Sequence, residues 1–107
     1  ASWVARTTVY HAPQLELLIK KAIDHRGFSL LEVMSNCHTY FGRLNRRGDA
    51  VSMLRMFKDK AVPFAQAKKL SAEDLKDKWV TGVLHEDDKT EFCDEYQKVV
   101  DSHLGER

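Results

Sequence analysis

Two strand-forming runs separated by one amphipathic helix occupy Trp3 to Met34, and that pattern leaves the chain few folds to choose from. Trp3 to Tyr10 (WVARTTVY) is rich in β-branched and aromatic residues, the composition of a strand. Pro13 then suits the first turn of a helix, where its missing N–H costs nothing. Leu15, Leu18, Ile19, Ala22 and Ile23 recur at helical spacing and predict a single apolar stripe that faces the core. His25 and Arg26 place positive charge near the helix end, and Gly27 offers a left-handed stop. The next run, Phe28 to Met34 (FSLLEVM), is apolar on consecutive positions, as expected of a strand covered on both faces. Strand, helix and strand together span about 30 residues, the size of a βαβ unit. Such a unit predicts a right-handed parallel crossover.

Beyond Met34 the pattern loosens. Residues 37–48 read as a cysteine-bearing loop, because HTYFGRLNRRGD carries Gly42, Asn45, Gly48 and a run of charges. Asp49 can cap a helix that bears Val51, Met53, Leu54 and Phe57. Pro63 breaks that helix, and a short helical stretch is expected from Ala65 to Leu70. Ser71 and Asp74 resemble a capping arrangement. Trp79 to Leu84 (WVTGVL) predicts a third strand, with Gly82 marking a close backbone approach. Thr90 to Leu104 predicts a last helix with Phe92, Cys93, Tyr96, Val99 and Val100 on its apolar side. The expected fold class is therefore α/β, a partial open sheet of one βαβ unit (residues 1–36), a third strand and C-terminal helices (residues 49–107).

These pieces form a single domain, 1–107, but one that reads as incomplete. A parallel pair buries its strands only when further strands and helices flank it, and one crossover helix does not suffice. A start at Ala-Ser-Trp-Val, directly in strand sequence, reads as a fragment boundary, although removal of an initiator Met would look the same. Open sheet edges and uncovered apolar surface then predict that the isolated chain self-associates.

Composition removes several classes of function. A net charge of +1 provides no electrostatic grip on nucleic acid, and no aromatic-basic motif of an RNA-binding module is present. No apolar run approaches the roughly 20 residues of a membrane span, and no signal peptide opens the chain. Cys37 and Cys93 are too few for a disulfide scaffold and suit a reducing cytoplasm.

Cys37 follows the second strand, where open α/β sheets place ligands and cofactors. On residue pattern alone it reads either as a small half-buried structural residue or as a ligand. Cys93 reads as core packing on the last helix. His38 reads as an exposed loop residue, with tuning of a neighbouring ligand as the functional alternative. His25 reads as a helix-end residue, and His11, His85 and His103 show no metal-ligand spacing. Arg43, Arg46 and Arg47 form the only dense basic cluster. It reads as a solvated loop. Arg47-Gly48-Asp49 matches an adhesion tripeptide by chance. Trp79 reads as strand core and Trp3 as edge or interface packing.

Three stretches carry a family resemblance: SWVART, AIDHRGFSLLEVMSNCHTYFGRLN and LSAEDLKDKWVTGVLHEDDKTEFCDEY. They resemble the C-terminal part of the thiamine-diphosphate-binding beta subunit of 2-oxoacid:ferredoxin (acceptor) oxidoreductases. FGRLN and GVLHEDDKTEF are most similar to the 2-oxoglutarate-using branch. The resemblance implies an enzyme that decarboxylates a 2-oxoacid on thiamine diphosphate with magnesium, passes electrons through a 4Fe–4S cluster and forms an acyl-CoA. It also implies that Cys37 is the fourth ligand of that cluster. The other three ligands, the Gly-Asp-Gly motif and the downstream Asn of the cofactor site lie outside this chain. Many members have Pro before the cysteine, where this chain has Asn36.

The partners so implied are the remainder of the beta subunit, the alpha and other subunits, and ferredoxin or another acceptor, which gives Arg43, Arg46 and Arg47 a functional alternative as a contact to coenzyme A phosphates, to an acidic electron acceptor or to a partner subunit. The segment itself is expected to be inactive and to bind no cluster or thiamine cofactor alone, since a cluster normally needs four thiolates. The competing reading is a small non-catalytic assembly domain, whose sheet edges and Arg43 to Arg47 loop serve interaction.

Overall fold

The computed structural model describes residues 1–105. In chain order its elements are β1 (Trp3–Thr8), α1 (Ala12–Asp24), β2 (Ser29–Met34), a turn of π-helix (His38–Gly42), α2 (Ala50–Lys60), β3 (Ala61–Pro63), α3 (Phe64–Ala67), β4 (Trp79–Glu86) and α4 (Phe92–Leu104). The strands form one mixed sheet in the order β2-β1-β4-β3. β1 pairs in parallel with β2, Trp3 opposite Ser29 through Thr8 opposite Met34, as a βαβ unit requires. β4 runs antiparallel to β1, and β3 runs parallel to β4.

The core follows from this pairing. Trp3 and Ala5 of the central strand pack with Leu18 of α1, and Ala22, Leu31 and Val83 close around them. Trp3 is thus core and not edge packing, because β4 continues two residues beyond the predicted end and makes β1 an inner strand. Polar side chains buried on β1 are satisfied: Thr7 Oγ1 donates to Gln14 at 2.9 Å, and Thr8 Oγ1 shares a 2.7 Å bond with His11 Nδ1. The opposite face carries the exposed Arg6–Glu32 pair and Leu30.

Several expectations need correction. The stop after α1 is His25, extended at φ −67°, whose N–H donates to the Lys21 carbonyl. Gly27, at φ +124°, instead lets the chain turn beside Ser2, whose Oγ would lie 2.5 Å from an added Cβ. His25 Nε2 also bonds Ser2 Oγ at 2.8 Å, tying the helix end to the start of the sheet. A fourth strand, β3, was absent from the sequence reading. Pro63 ends it at the sheet edge, a position where a missing N–H is tolerated. Gly82 meets no atom within 4 Å, so close approach does not explain it. Its φ of +101° does.

The apolar stripes are only partly used. Leu18 is 3% exposed, whereas Ile23 on the same helix is 78% exposed. No residue of α4 is buried: Phe92 is 77% exposed, and Cys93, Tyr96 and Val99 also face solvent. Periodicity reports which residues share a face, but not whether anything packs on it. An Arg26–Asp94 ion pair links α4 to the end of α1. The radius of gyration is 19.1 Å, against about 13 Å for a compact domain of 100 residues.

Uncovered apolar surface and an exposed β2 edge should make the isolated chain self-associate, read as concentration-dependent sedimentation. A compact monomer insensitive to dilution would contradict this. At one fixed concentration, Leu18→Ala should cost about 2–3 kcal/mol of unfolding free energy. Ile23→Ala should change it by less than about 0.5 kcal/mol.

Candidate functional site at the end of the second strand

Val9 N–H donates to the Met34 carbonyl at 3.0 Å, continuing the β1–β2 pairing one step past the end of β1. The chain then leaves the sheet through Ser35 and the half-buried Asn36, which delivers Cys37 to the carboxyl end of the parallel pair. Residues 38–42, expected as loop, wind into a single turn of π-helix instead. Gly42 N–H donates back to the Cys37 carbonyl at 2.8 Å, and Arg47 N–H donates to the Gly42 carbonyl at 2.8 Å. π-turns of this kind concentrate at functional sites.

The turn is held from behind by α2. Asp49 caps that helix by accepting the Ser52 N–H at 2.8 Å, so the aspartate of the adhesion-like tripeptide serves local folding. Met53, fully buried, lies against Gly42, where an added Cβ would come within 2.7 Å of its sulfur. Phe57 in turn packs its ring on Trp79 of β4, centroids 5.3 Å apart. α2 thereby couples the cysteine turn to the far half of the sheet.

Cys37 is the exposed N-cap of the turn. Backbone N–H groups of Phe41, then Tyr40 and Thr39, converge toward its sulfur and hold the thiol pKa below the ordinary cysteine value, against a smaller opposing effect of burial. None makes a fully formed hydrogen bond to the sulfur, so the effect is that of several N–H dipoles aimed at one atom. Cys93 is the opposite case. The Glu91 carboxylate beside it raises its pKa by charge and hydrogen bonding, with burial and Asp94 acting the same way. It is an exposed residue at the start of α4, and the expected core role does not hold.

Beside Cys37 opens a cavity of about 370 Å³. Its walls are the thioethers of Met34, Met53 and Met56 and the rings of Phe41, Phe57 and Trp79, with Arg47 and Lys60 as its cations. Lys60 also lies 5.8 Å from the Trp79 ring centre. Met56 and Lys60 were missed by the sequence reading. The available signal was the 53, 56, 57, 60 spacing, one face of α2. His38 lies on the outer side of the turn, in a shallow depression with Arg43, Arg46 and Asp49. His25 and His11 are engaged with Ser2 and Thr8.

Among the described residues no group of three or more His, Cys, Asp or Glu could hold a metal ion. The donor set here is a single thiol, set in an apolar, polarisable wall with two cations. Such surroundings stabilise a thiolate and offer at most one ligand to a metal centre. Both thiols are exposed, so alkylation compares them directly. Cys37 should react faster with iodoacetamide at pH 7, with an inflection at lower pH than that of Cys93. The reverse order would contradict the description of the turn.

No family model matches the chain. It is 38% identical over 106 residues to the 2-oxoglutarate synthase subunit KorB of Methanocaldococcus jannaschii, covering 99% of this chain and 39% of that protein. With the Methanothermobacter marburgensis subunit KorB it shares 36% identity over 105 residues, covering 98% of this chain and 37% of that protein. The chain thus spans under two-fifths of the length of the curated relatives it matches. Among solved structures, the 2-oxoglutarate:ferredoxin oxidoreductase of Magnetococcus marinus with 2-oxoglutarate, coenzyme A and succinyl-CoA bound superposes with a TM-score of 0.72 and 21% identity. That superposition covers 99% of this chain and 36% of the other, and it establishes a shared fold. Over nearly its whole length, the chain is a homologue of the C-terminal part of the 2-oxoglutarate synthase subunit KorB.

Proposed function

We propose that the chain is the cysteine-bearing C-terminal segment of the beta subunit of a 2-oxoacid:ferredoxin oxidoreductase, most like those acting on 2-oxoglutarate. The parent complex, placed in the reducing cytoplasm, would oxidatively decarboxylate the 2-oxoacid and conserve the acyl group on coenzyme A. Thiamine diphosphate and magnesium would be held by the remainder of the subunit, since this chain lacks the motifs for them. Alpha and further subunits, and ferredoxin or another acceptor, would complete the system.

In this reading Cys37 is one of four thiolate ligands of a 4Fe–4S cluster. When bound, the cluster supplies one-electron transfer. This chain's own residues prepare the ligand. Converging N–H groups of the turn favour the deprotonated sulfur that iron requires. The methionine and aromatic wall keeps water from one side of the centre, and Arg47 and Lys60 offset negative charge there. The observation that carries the proposal is this conjunction: a thiol of lowered pKa, at the carboxyl end of the parallel pair, within a match to part of KorB that covers 99% of this chain.

Cys37→Ala in the assembled enzyme tests it. Iron and sulfide per complex should fall by the content of one cluster, or the cluster's visible absorption should be lost, and 2-oxoacid-dependent ferredoxin reduction should drop by at least about 100-fold. Cys93→Ala should leave both unchanged. Full cluster content in Cys37→Ala would remove the proposal.

A further inference from the structure

Lys60 is the half-buried cation of the cavity wall beside Cys37, whereas Arg47, the other cation there, is exposed. Among the described residues no carboxylate pairs with Lys60. A cation drawn partly out of water without a counter-charge is costly, and an anion nearby offsets that cost. The contacts that fix this cation lie within the chain. Phe57, one turn earlier on α2, packs its ring on Trp79. Ala61, the next residue, pairs with Trp79 in the β3–β4 ladder. The Lys60 backbone is thus pinned between helix and strand, and its Nζ lies 5.8 Å from the centre of the Trp79 ring.

Two ordinary roles leave part of this placement unexplained. A lysine in the last turn of a helix complements the helix dipole. Lys58 stands in the same turn, exposed, and serves that role without joining the cavity wall. An indole face attracts an ammonium, but it brings no negative charge to balance it.

We propose that Lys60 sets the reduction potential of the cluster ligated by Cys37, holding it above the value it would have without this charge. The inference rests on the reading of Cys37 as a cluster ligand. A 4Fe–4S cluster on four thiolates is anionic, and taking up one electron, here from the 2-oxoacid, adds one further negative charge. A fixed cation therefore stabilises the reduced form more than the oxidised one. Solvent weakens such attraction, so the half-buried ammonium on an aromatic and thioether wall acts more strongly than the exposed Arg47 guanidinium.

The test is a redox titration of the assembled enzyme, followed by electron paramagnetic resonance of the cluster whose signal Cys37→Ala abolishes. Lys60→Met keeps a long side chain and drops the charge. It should move the midpoint to a more negative potential with iron content unchanged. Lys60→Arg should keep the wild-type midpoint, and Lys58→Met should leave it unmoved.

An unmoved midpoint in Lys60→Met would overturn the proposal and leave ligation by Cys37 standing. An equal fall in Lys58→Met would overturn it too, since the helix end as a whole would then be acting. Should Lys60→Met lose iron, Lys60→Gln is titrated in its place. Loss of iron there as well would overturn the proposal, because Lys60 would then support the fold of the site and not its potential. Persistence of every cluster signal in Cys37→Ala would instead overturn the cluster reading, and this proposal with it.

Discussion

Everything in this molecule depends on the parallel pairing of β1 with β2. Leu18 of α1 locks that pair by packing on Trp3 and Ala5, and the Ser2–His25 bond fixes the helix end against the start of the sheet. A shift of the β2 register by one residue would turn Leu31 out of the core and move Cys37 by more than 3 Å, because a strand advances about 3.3 Å per residue. The position of the thiol is therefore set by packing some distance from it. The cysteine itself contributes nothing to that packing and stays exposed.

The second half of the chain shapes the surroundings of the thiol. α2 brings Met53 beneath Gly42 and Phe57 against Trp79, so the turn that follows Cys37 is backed by side chains from two other elements. Because the turn winds as a π-helix, several N–H groups face the sulfur and its proton is held less tightly. The cavity beside it is walled mainly by methionine and aromatic side chains and is cationic at Arg47 and Lys60. A thiol whose anion is stabilised, beside apolar side chains and nearby positive charge, has the character of a ligand for a soft cation. It cannot hold a cluster without ligands from outside the chain.

Much of this was legible in the sequence because it is local. Gly and Pro punctuation, helical spacing and apolar runs placed β1, α1, β2 and the Asp49 cap, and the Ser71/Asp74 pair forms the reciprocal bonds expected of it. What failed was non-local. Ala61–Pro63 becomes a strand only because β4 lies beside it, and three residues carry no periodicity of their own. The stripe of α4 was read correctly as a stripe and wrongly as core, since nothing local says whether a face meets a partner. Cys93 fell with it. The π-turn was invisible because it relies on Gly42 fitting closely against Met53, a contact between separate elements. Of the site, Cys37 was found through its place after β2, while Met56 and Lys60 needed the orientation of α2.

The central claim is that Cys37 binds iron in the parent complex. An anomalous difference map collected at the iron edge from crystals of the assembled oxidoreductase tests it most directly. The account predicts an iron peak within direct bonding distance of Cys37 Sγ, bordered by Phe41, Met53 and Arg47. Iron peaks elsewhere in the map, with the Cys37 thiol free of metal, would contradict it.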